Sequence, residues 1–134
     1  MREATRHNPH KISGFRRLAR SLSNSLEGIG ATLRHEEAFR QEVMISVVLV
    51  PVAILLPIPM FERLYLIGAL FLILIVELLN SAVEAAIDYI SLRSHPLAKR
   101  SKDMASGAVF CSLLHGILVW SFVLSMHWET IWGE

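Results

Sequence analysis

A row of acidic and small polar residues recurs at helical spacing within an otherwise apolar part of the chain. We call it the acidic stripe, and it consists of Glu77, Asn80, Ser81, Glu84 and Asp88. At about 100° per residue, all of them fall within one sector of a helix that is about 100° wide. A carboxylate in hydrocarbon costs a few kcal/mol on insertion scales, so three of them should face a protein interior or a wet cavity. A polar seam that joins helices is the alternative, but acids are a costly choice for that role.

The depth of the stripe in a membrane would place its carboxylates in two chemical settings. If the hydrocarbon layer begins near Leu64, a helix of about 20 residues crosses it and leaves it near Val83. Glu84 and Asp88 would then lie at the interface, and Glu77 about 10 Å deeper. A water-accessible carboxylate can hold Mg²⁺, and a partly dehydrated one can serve as a general base. This arrangement suits an enzyme that joins a soluble phosphate donor to a lipid acceptor.

A second group of acids precedes the first apolar stretch and offers a partner for Glu84. It contains Glu36, Glu37 and Glu42. Mg²⁺ bound together with phosphates usually takes one or two carboxylates, so a second ligand is expected from this group. Acids at this position would also stabilise a helix N-terminus without any further role. Basic residues that could contact a triphosphate, or could simply flank the membrane, follow the stripe at Lys99, Arg100 and Lys102.

The elements that carry these residues must be largely apolar. Of the 134 residues, 53% are hydrophobic and 19% are charged, against about 25% charged in soluble domains. The formal net charge is only +1, which excludes a strongly basic nucleic-acid binder. No complete glycine-rich phosphate loop occurs, and a single cysteine, Cys111, excludes an intrachain disulfide and a zinc finger. Cys111 and His115 are both expected to be buried packing residues.

Three apolar stretches are long enough, or nearly so, to cross a membrane. They are predicted at about residues 37–57, 61–90 and 98–127. A spanning helix needs about 20 residues, and residues 43–61 and 104–126 include no charged side chain. Two prolines within residues 56–59 predict a turn between the first two stretches, and the middle stretch reaches spanning length only if it includes the acidic stripe. The sequence therefore predicts an all-α integral membrane protein that forms one domain over residues 1–134.

Residues 1–34 are predicted to form a basic cytoplasmic arm that contains an amphipathic helix. One stripe of this helix is apolar: Phe15, Leu18, Leu22, Leu26, Ile29 and Leu33. The residues opposite are Arg16, Arg17, Arg20 and Asn24. Such a helix suits the anionic cytoplasmic leaflet, although a surface helix with a solvated basic face has the same pattern. Gly28 and Gly30 predict a break or bend before the first span.

The distribution of basic residues predicts the orientation in the membrane. The basic arm holds seven Lys or Arg residues and the second loop holds four, whereas the first loop holds only Arg63 and the tail after Met126 none. Because cytoplasmic loops carry the excess of Lys and Arg, the arm and the second loop should face the cytoplasm, and the C-terminus should face the opposite side. Trp120, Trp128 and Trp132 would then form an aromatic belt at the far interface.

The chain resembles the prokaryotic diacylglycerol kinases in its motifs. The most specific motifs are the E-x-x-N-S-A-x-E-A block that begins at Glu77 and the downstream pair Lys102 and Asp103. Further matches lie in the arm and before the first span: Gly14, Phe15, Arg17 and residues 36–42. The resemblance implies a small kinase of the bacterial inner membrane that moves the γ-phosphate of MgATP to a lipid hydroxyl. It also implies a homotrimer whose active sites are shared between neighbouring subunits.

The resemblance implies a role for individual residues. Glu77 matches the general base, and Glu36 and Glu84 match the ligands of Mg²⁺. Positions that contact the nucleotide are matched by both metal ligands and by Arg17, Asn24, Arg93, Ser94, His95, Lys102 and Asp103. Positions that support the site or contact the lipid are matched by Ala38, Gln41, Asn80, Ser81, Ser106 and Trp120. Asn24 replaces an aromatic residue of some members and Pro96 replaces an acidic one, and both departures concern nucleotide contacts.

The acceptor and the class of function leave alternatives open. The prediction is phosphorylation of diacylglycerol to phosphatidic acid at the cytoplasmic face, with MgATP as donor and without a nucleic-acid partner. Related enzymes phosphorylate undecaprenol, which is the alternative acceptor. Outside the kinases, the stripe suits a proton-coupled transporter or pore in which Glu77 and Glu84 relay protons, or a structural module that uses the stripe for assembly.

Overall fold

The computed structural model describes residues 14–90 and 95–133, which are helical over nearly their whole length. Five helices follow one another in these ranges: α1 (Gly14–His35), α2 (Glu37–Leu55), α3 (Met60–Ile90), α4 (Pro96–Met126) and α5 (Trp128–Trp132). Helices α2, α3 and α4 are each long and apolar enough to cross a membrane. The predicted all-α fold, with three candidate spans and an N-terminal amphipathic helix, is confirmed. The short helix α5 is an element that the sequence pattern did not predict.

The chain divides into two compact units, Met1–Ala31 and Thr32–Glu134. Most of α1 lies in the first unit, and the helix buries none of its side chains. The exposed apolar side chains follow the predicted stripe and include Phe15, Leu18, Leu22 and Leu26. The predicted break at Gly28 and Gly30 is wrong, because α1 runs through both glycines to His35. A glycine inside a helix costs about 1 kcal/mol relative to alanine, which is too little to end a helix of 22 residues.

A single residue, Glu36, separates α1 from α2, and its backbone is extended with φ −105° and ψ 117°. Arg40 stabilises this junction, because its guanidinium donates to the carbonyl oxygens of Leu33 at 3.4 Å and Arg34 at 3.1 Å. Carbonyls in the last turn of a helix have no partner within that helix. The side chain of Glu36 makes no capping hydrogen bond to α2, so capping does not explain an acid at this position.

Helix α3 is central in the second unit and packs against both α2 and α4. The contact with α4 is close at Gly116, which is buried. A Cβ atom added to Gly116 would lie 2.8 Å from Cδ1 of Ile73 on α3. Small residues allow such close packing between membrane helices. Cys111 and His115 were expected to be buried, but both are exposed on α4 in the single chain, so this expectation is wrong for the isolated chain.

The apolar core of the second unit lies where the turn between α2 and α3 meets the last turns of α4, and we call this region the far end. Its buried members are Ala53, Ile58, Leu66 and Val123. Trp120 packs against them and donates its indole N–H to the carbonyl oxygen of Leu66 at 3.2 Å. Ile131 of α5 packs against the same core. Nε2 of His127, which precedes α5, contacts Oε2 of Glu62 in the first turn of α3, and the two form an ion pair when the imidazole is protonated.

Candidate active site

Glu77 is a buried carboxylate within a largely apolar helix. It is only 4% exposed. Ser81, one turn later, is also buried, and its hydroxyl donates to the carbonyl oxygen of Glu77 at 3.0 Å. The side-chain amide of Asn80 donates to a carboxylate oxygen of Glu84 at 3.3 Å. These hydrogen bonds run along one face of α3, so they restrict how the polar side chains of the stripe can rotate.

Four glutamates converge around this point, and we call them the acidic cluster: Glu36, Glu42, Glu77 and Glu84. The carboxyl groups of the other three each lie close enough to interact electrostatically with that of Glu77. Glu36 comes from the α1–α2 junction and Glu42 from α2, whereas the remaining two belong to α3. Like charges that are partly removed from water destabilise a fold unless a positive charge or a proton compensates them.

Glu42 belongs to the group of acids that the sequence offers as partners for Glu84, but the resemblance assigns it no individual role. Its Oε2 atom is buried and has no hydrogen-bond partner among the described residues. The signal that could have identified it is helical spacing on α2, since Glu42 lies three residues after Phe39 and four before Ser46. Both of those residues are buried, so Glu42 is on the face of α2 that packs inward. An acid on the inward face of a candidate span indicates a functional site, because burying a carboxylate there is costly, and the same holds for the acids of α3.

Two buried oxygen atoms in this region accept no hydrogen bond from the described residues. Besides Glu42 Oε2, Asn80 Oδ1 is buried without a partner among the described residues. Both atoms accept hydrogen bonds and cannot satisfy each other. A hydroxyl group, a water molecule or a hydrated cation would supply what they lack. The local chemistry thus suits a ligand that brings hydrogen-bond donors or positive charge.

The basic residues after the stripe have partners within the chain. The ammonium group of Lys102 lies 2.6 Å from Oδ1 of Asp88 and so links the start of α4 to the end of α3. Lys99 forms a similar pair with Asp103 at 2.6 Å, within α4. His95 occupies the N-cap of α4, where its Nδ1 accepts the backbone N–H of Leu97 at 3.2 Å. Exposed ion pairs contribute only about 0–1 kcal/mol, so a phosphate group can displace them.

The other predicted site residues are more widely distributed. Arg17 and Asn24 are exposed on α1 in the first unit, and Arg93 and Ser94 lie outside the described residues. Ala38, Gln41 and Ser106 are exposed on α2 and α4.

Trp120 is not part of the acidic cluster. It is bonded to Leu66, which precedes Glu77 by eleven positions on α3, or about 16 Å along a helix. The structure therefore places Trp120 in the far-end core, where it supports the packing of α4 against α3. Its expected place beside a lipid substrate does not follow from this geometry.

The oxygen donors of the cluster suit a hard divalent cation that arrives with phosphate groups. Among the described residues, no group of three or more His, Cys, Asp or Glu is arranged to hold a metal ion unaided. Mg²⁺ bound with nucleotide phosphates needs only one or two carboxylates from the protein, and it keeps several other ligands. Glu36 and Glu84, whose carboxylates both interact electrostatically with Glu77, provide such carboxylate oxygens. The residues present therefore fit MgATP better than a resident metal centre.

Comparison with known proteins gives a consistent result over most of the chain. A sequence model of the prokaryotic diacylglycerol kinase family matches residues 23–124, a range that contains the whole acidic cluster. A diacylglycerol kinase of Pseudomonas aeruginosa is 46% identical over 112 residues, which cover 84% of this chain and 91% of the relative. A diacylglycerol kinase of Escherichia coli K12 is 36% identical over 118 residues, or 88% of this chain and 97% of the relative. One of Helicobacter pylori 26695 is 38% identical over 120 residues, or 89% and 94%.

Proposed function

Because this chain belongs to the prokaryotic diacylglycerol kinase family, we propose that it transfers the γ-phosphate of ATP to the free hydroxyl of diacylglycerol and so forms phosphatidic acid. One observation carries the proposal: Glu77 is buried in a candidate span beside Glu36 and Glu84, the two carboxylates expected to engage MgATP. The names of the relatives support diacylglycerol as acceptor over undecaprenol. They also favour an enzyme over the transporter and the structural module.

Glu77 acts as the general base in this proposal. As the hydroxyl oxygen of the lipid bonds to the γ-phosphorus, its proton passes to the carboxylate of Glu77. The bond between the γ-phosphorus and the oxygen that bridges to the β-phosphate breaks, and ADP leaves with that oxygen. Burial of Glu77 excludes bulk water, which would otherwise compete with the lipid hydroxyl as acceptor.

Glu36 and Glu84 would hold Mg²⁺ together with the nucleotide phosphates. When bound, the ion neutralises negative charge on the β- and γ-phosphates. Asn80 acts as a positioning residue, because its amide bonds to Glu84 and limits the directions in which that carboxylate can point. Lys102 is held near this end of α3 by Asp88 and can exchange that partner for a phosphate oxygen.

An apolar groove beside the cluster suits the acyl part of the substrate. It lies between α2 and α3 with a volume of about 400 Å³. Its lining includes Val43, Val47, Val50, Leu70, Phe71 and Leu74. Val43, the residue after Glu42, lines the groove together with Leu74, which precedes Glu77 by three positions, so an acyl chain in it would leave the glycerol hydroxyl near the carboxylates. We assign one acyl chain of diacylglycerol to this groove.

We propose that the cluster and the second loop face the cytoplasm, where ATP is available. The excess of Lys and Arg in the basic arm and in the second loop supports this orientation. We also propose a homotrimer with shared active sites. Most of each candidate span is exposed in the single chain, and His115 lies exposed midway along α4. A polar imidazole at that depth is better placed against another protein chain than against lipid tails.

The test is a kinase assay of the purified protein in mixed micelles with labelled ATP. Diacylglycerol and undecaprenol are presented separately over a range of Mg²⁺ concentrations. We expect Mg²⁺-dependent formation of phosphatidic acid, with a higher turnover for diacylglycerol. Absence of labelled phosphatidic acid at every Mg²⁺ concentration, or a higher turnover with undecaprenol, would contradict the proposal.

A further inference from the structure

The last helix of the described chain carries two exposed indoles at the far end. Trp128 and Trp132 are 62% and 65% exposed. Their ring centroids lie 6.0 Å apart, one helical turn from each other on α5. Trp120 differs from both, since it is half-buried and bonded to Leu66. Of the three tryptophans predicted at the far interface, Trp128 and Trp132 are therefore the exposed pair.

Contacts on the side of α5 away from the two indoles fix it to the rest of the second unit. Ile131 packs against the far-end core. His127 and Glu62 form an ion pair, and their side chains are only 17% and 25% exposed. Backbone hydrogen bonds connect His127 to Val123 at 3.2 Å and Ile131 to His127 at 3.0 Å. These contacts set the position of the two indoles along the axis of the spans.

That position coincides with the expected boundary of the hydrocarbon layer. Glu62 precedes Glu77 by fifteen residues on α3, or about 22 Å, within a layer about 30 Å thick. With the acidic cluster near one interface, α5 lies near the other. Exposed apolar side chains continue the surface of the spans up to this level, and they include Phe61, Phe122 and Met126. An indole, which joins an apolar ring to an N–H donor, is the side chain best suited to such a boundary.

The charge of this region indicates which lipid chemistry the indoles meet. No Lys or Arg follows Met126, and Glu129 is the one acid in α5. Attraction to anionic headgroups therefore does not hold α5 at the membrane. The contact should instead depend on the amphipathic indoles and occur equally at zwitterionic and anionic lipids. The basic, amphipathic α1 has the opposite character.

We propose that α5 is an interfacial anchor whose indoles at Trp128 and Trp132 occupy the boundary between lipid headgroups and acyl chains at the far end. The contact between Glu62 and His127 holds the anchor at that depth. The anchor fixes how deeply the three spans sit in the bilayer. It is independent of the kinase activity, because it involves no residue of the acidic cluster.

The experiment measures tryptophan fluorescence of the full chain in lipid nanodiscs. A Trp120→Phe variant leaves emission from the two indoles of α5 alone. The nanodiscs contain phosphatidylcholine that is brominated either near the headgroup or near the chain end, with or without phosphatidylglycerol. We expect the shallow label to quench at least about twofold more than the deep label, with the same ratio in both lipid mixtures. Should Trp120→Phe fail to fold, the difference in emission between the parent chain and Trp128→Phe/Trp132→Phe gives the same quantity.

Other occupants of the surface would give other results, and each would overturn the proposal. Quenching by aqueous iodide without quenching by brominated lipid would place the indoles in water. Protection from both quenchers would place them against a second copy of the chain. Glu62→Ala should reduce the ratio of shallow to deep quenching towards one. Glu129→Ala removes an acid from α5 itself but does not affect the contact with His127, so it should leave the ratio unchanged. An unchanged ratio in Glu62→Ala would contradict the role of the ion pair.

Discussion

The two ends of the three-helix unit bury different chemistry to a similar degree. At the far end, Leu66 is fully buried among apolar side chains, and the indole N–H of Trp120 has a hydrogen-bond acceptor. About midway along α3, Glu77 is 4% exposed, which is the same value as for Ile58 in the far-end core. Its neighbours, however, are carboxylates, and Glu42 and Asn80 carry buried acceptor atoms without partners among the described residues.

This difference indicates that the far end stabilises the fold, whereas the acidic cluster is suited to binding ligands. Apolar burial and a hydrogen-bonded indole stabilise the far end, and its buried polar atoms Glu62 Oε2 and His127 Nε2 contact each other within the chain. Converging carboxylates reduce stability in the isolated chain and become favourable only when a cation and hydrogen-bond donors arrive. Native proteins commonly break the rules of packing at functional sites while the rest of the fold obeys them. Substitutions at the two ends should therefore separate activity from stability.

The largest expected effect concerns the carboxylates assigned to the metal ion. Glu36→Gln combined with Glu84→Gln should lower turnover at least about a thousandfold, because metal-based charge stabilisation contributes several kcal/mol to phosphoryl transfer. The check is phosphatidic acid formation across a range of Mg²⁺ concentrations. Glu37→Gln is the matched control, since Glu37 is exposed next to Glu36 and should retain near-parental turnover. Turnover within about tenfold of the parent in the double variant would remove both residues from the metal site.

At the far end, the expected effect is on stability. Leu66→Ala should lower the free energy of unfolding by about 2–5 kcal/mol, because it leaves a cavity in a fully buried position. Unfolding in a denaturing detergent measures this loss, and the activity per folded molecule should be retained. Leu64→Ala is the control on the same helix, as Leu64 is 53% exposed and should cost less than about 1 kcal/mol. Equal losses for the two variants would show that the far end is not the stabilising core.

A smaller loss is expected where α3 and α4 pack closely. Gly116→Val should cost about 1–3 kcal/mol, because its side chain would displace Ile73. Gly68→Val provides the comparison, since a Cβ atom there meets nothing within 4 Å. The same unfolding measurement applies. If the two valines are tolerated equally, the close contact at Gly116 does not contribute to stability.

The smallest effect is expected at the ion pair that bridges α3 and α4. Asp88→Asn should change the free energy of unfolding by no more than about 1 kcal/mol, because the side chains of Asp88 and Lys102 are 51% and 35% exposed. The difference from the parent should shrink further at high salt, where exposed charges are screened. A loss above about 2 kcal/mol, or one that salt does not alter, would indicate a structural role that the geometry does not suggest.

Periodicity in the sequence predicted the helices because membrane helices leave strong, long apolar signals. The turn at residues 56–59 followed from two prolines, and α3 and α4 followed from runs of apolar residues near spanning length. The break before α2 was predicted at Gly28 and Gly30 because glycine has a low helix propensity. It lies at Glu36, where hydrogen bonds from Arg40 to the end of α1 stabilise the junction, and such contacts cannot be read from local composition.

Residue spacing predicted the part of the candidate site that shares one helix, and the resemblance added Glu36 from the junction between α1 and α2. The spacing of Glu77, Asn80 and Glu84 fixes their common face, and the structure shows them in contact or in electrostatic range. The approach of Glu42 to Glu77 could not be predicted from spacing, because it depends on how α2 packs on α3. The hydrogen bond from Trp120 to Leu66 likewise joins two helices, so spacing could not predict it. Pairing between helices is a tertiary property that periodicity does not report.

The most direct test measures turnover and stability together in Glu77→Gln. Removing a general base should lower turnover about a hundredfold or more, whereas the amide preserves the shape of the side chain. Because one of four crowded carboxyl groups becomes neutral, the free energy of unfolding should stay equal to that of the parent or rise. Retained turnover, or turnover and stability that fall together, would contradict the claim that this buried acid is kept for phosphoryl transfer and not for the fold.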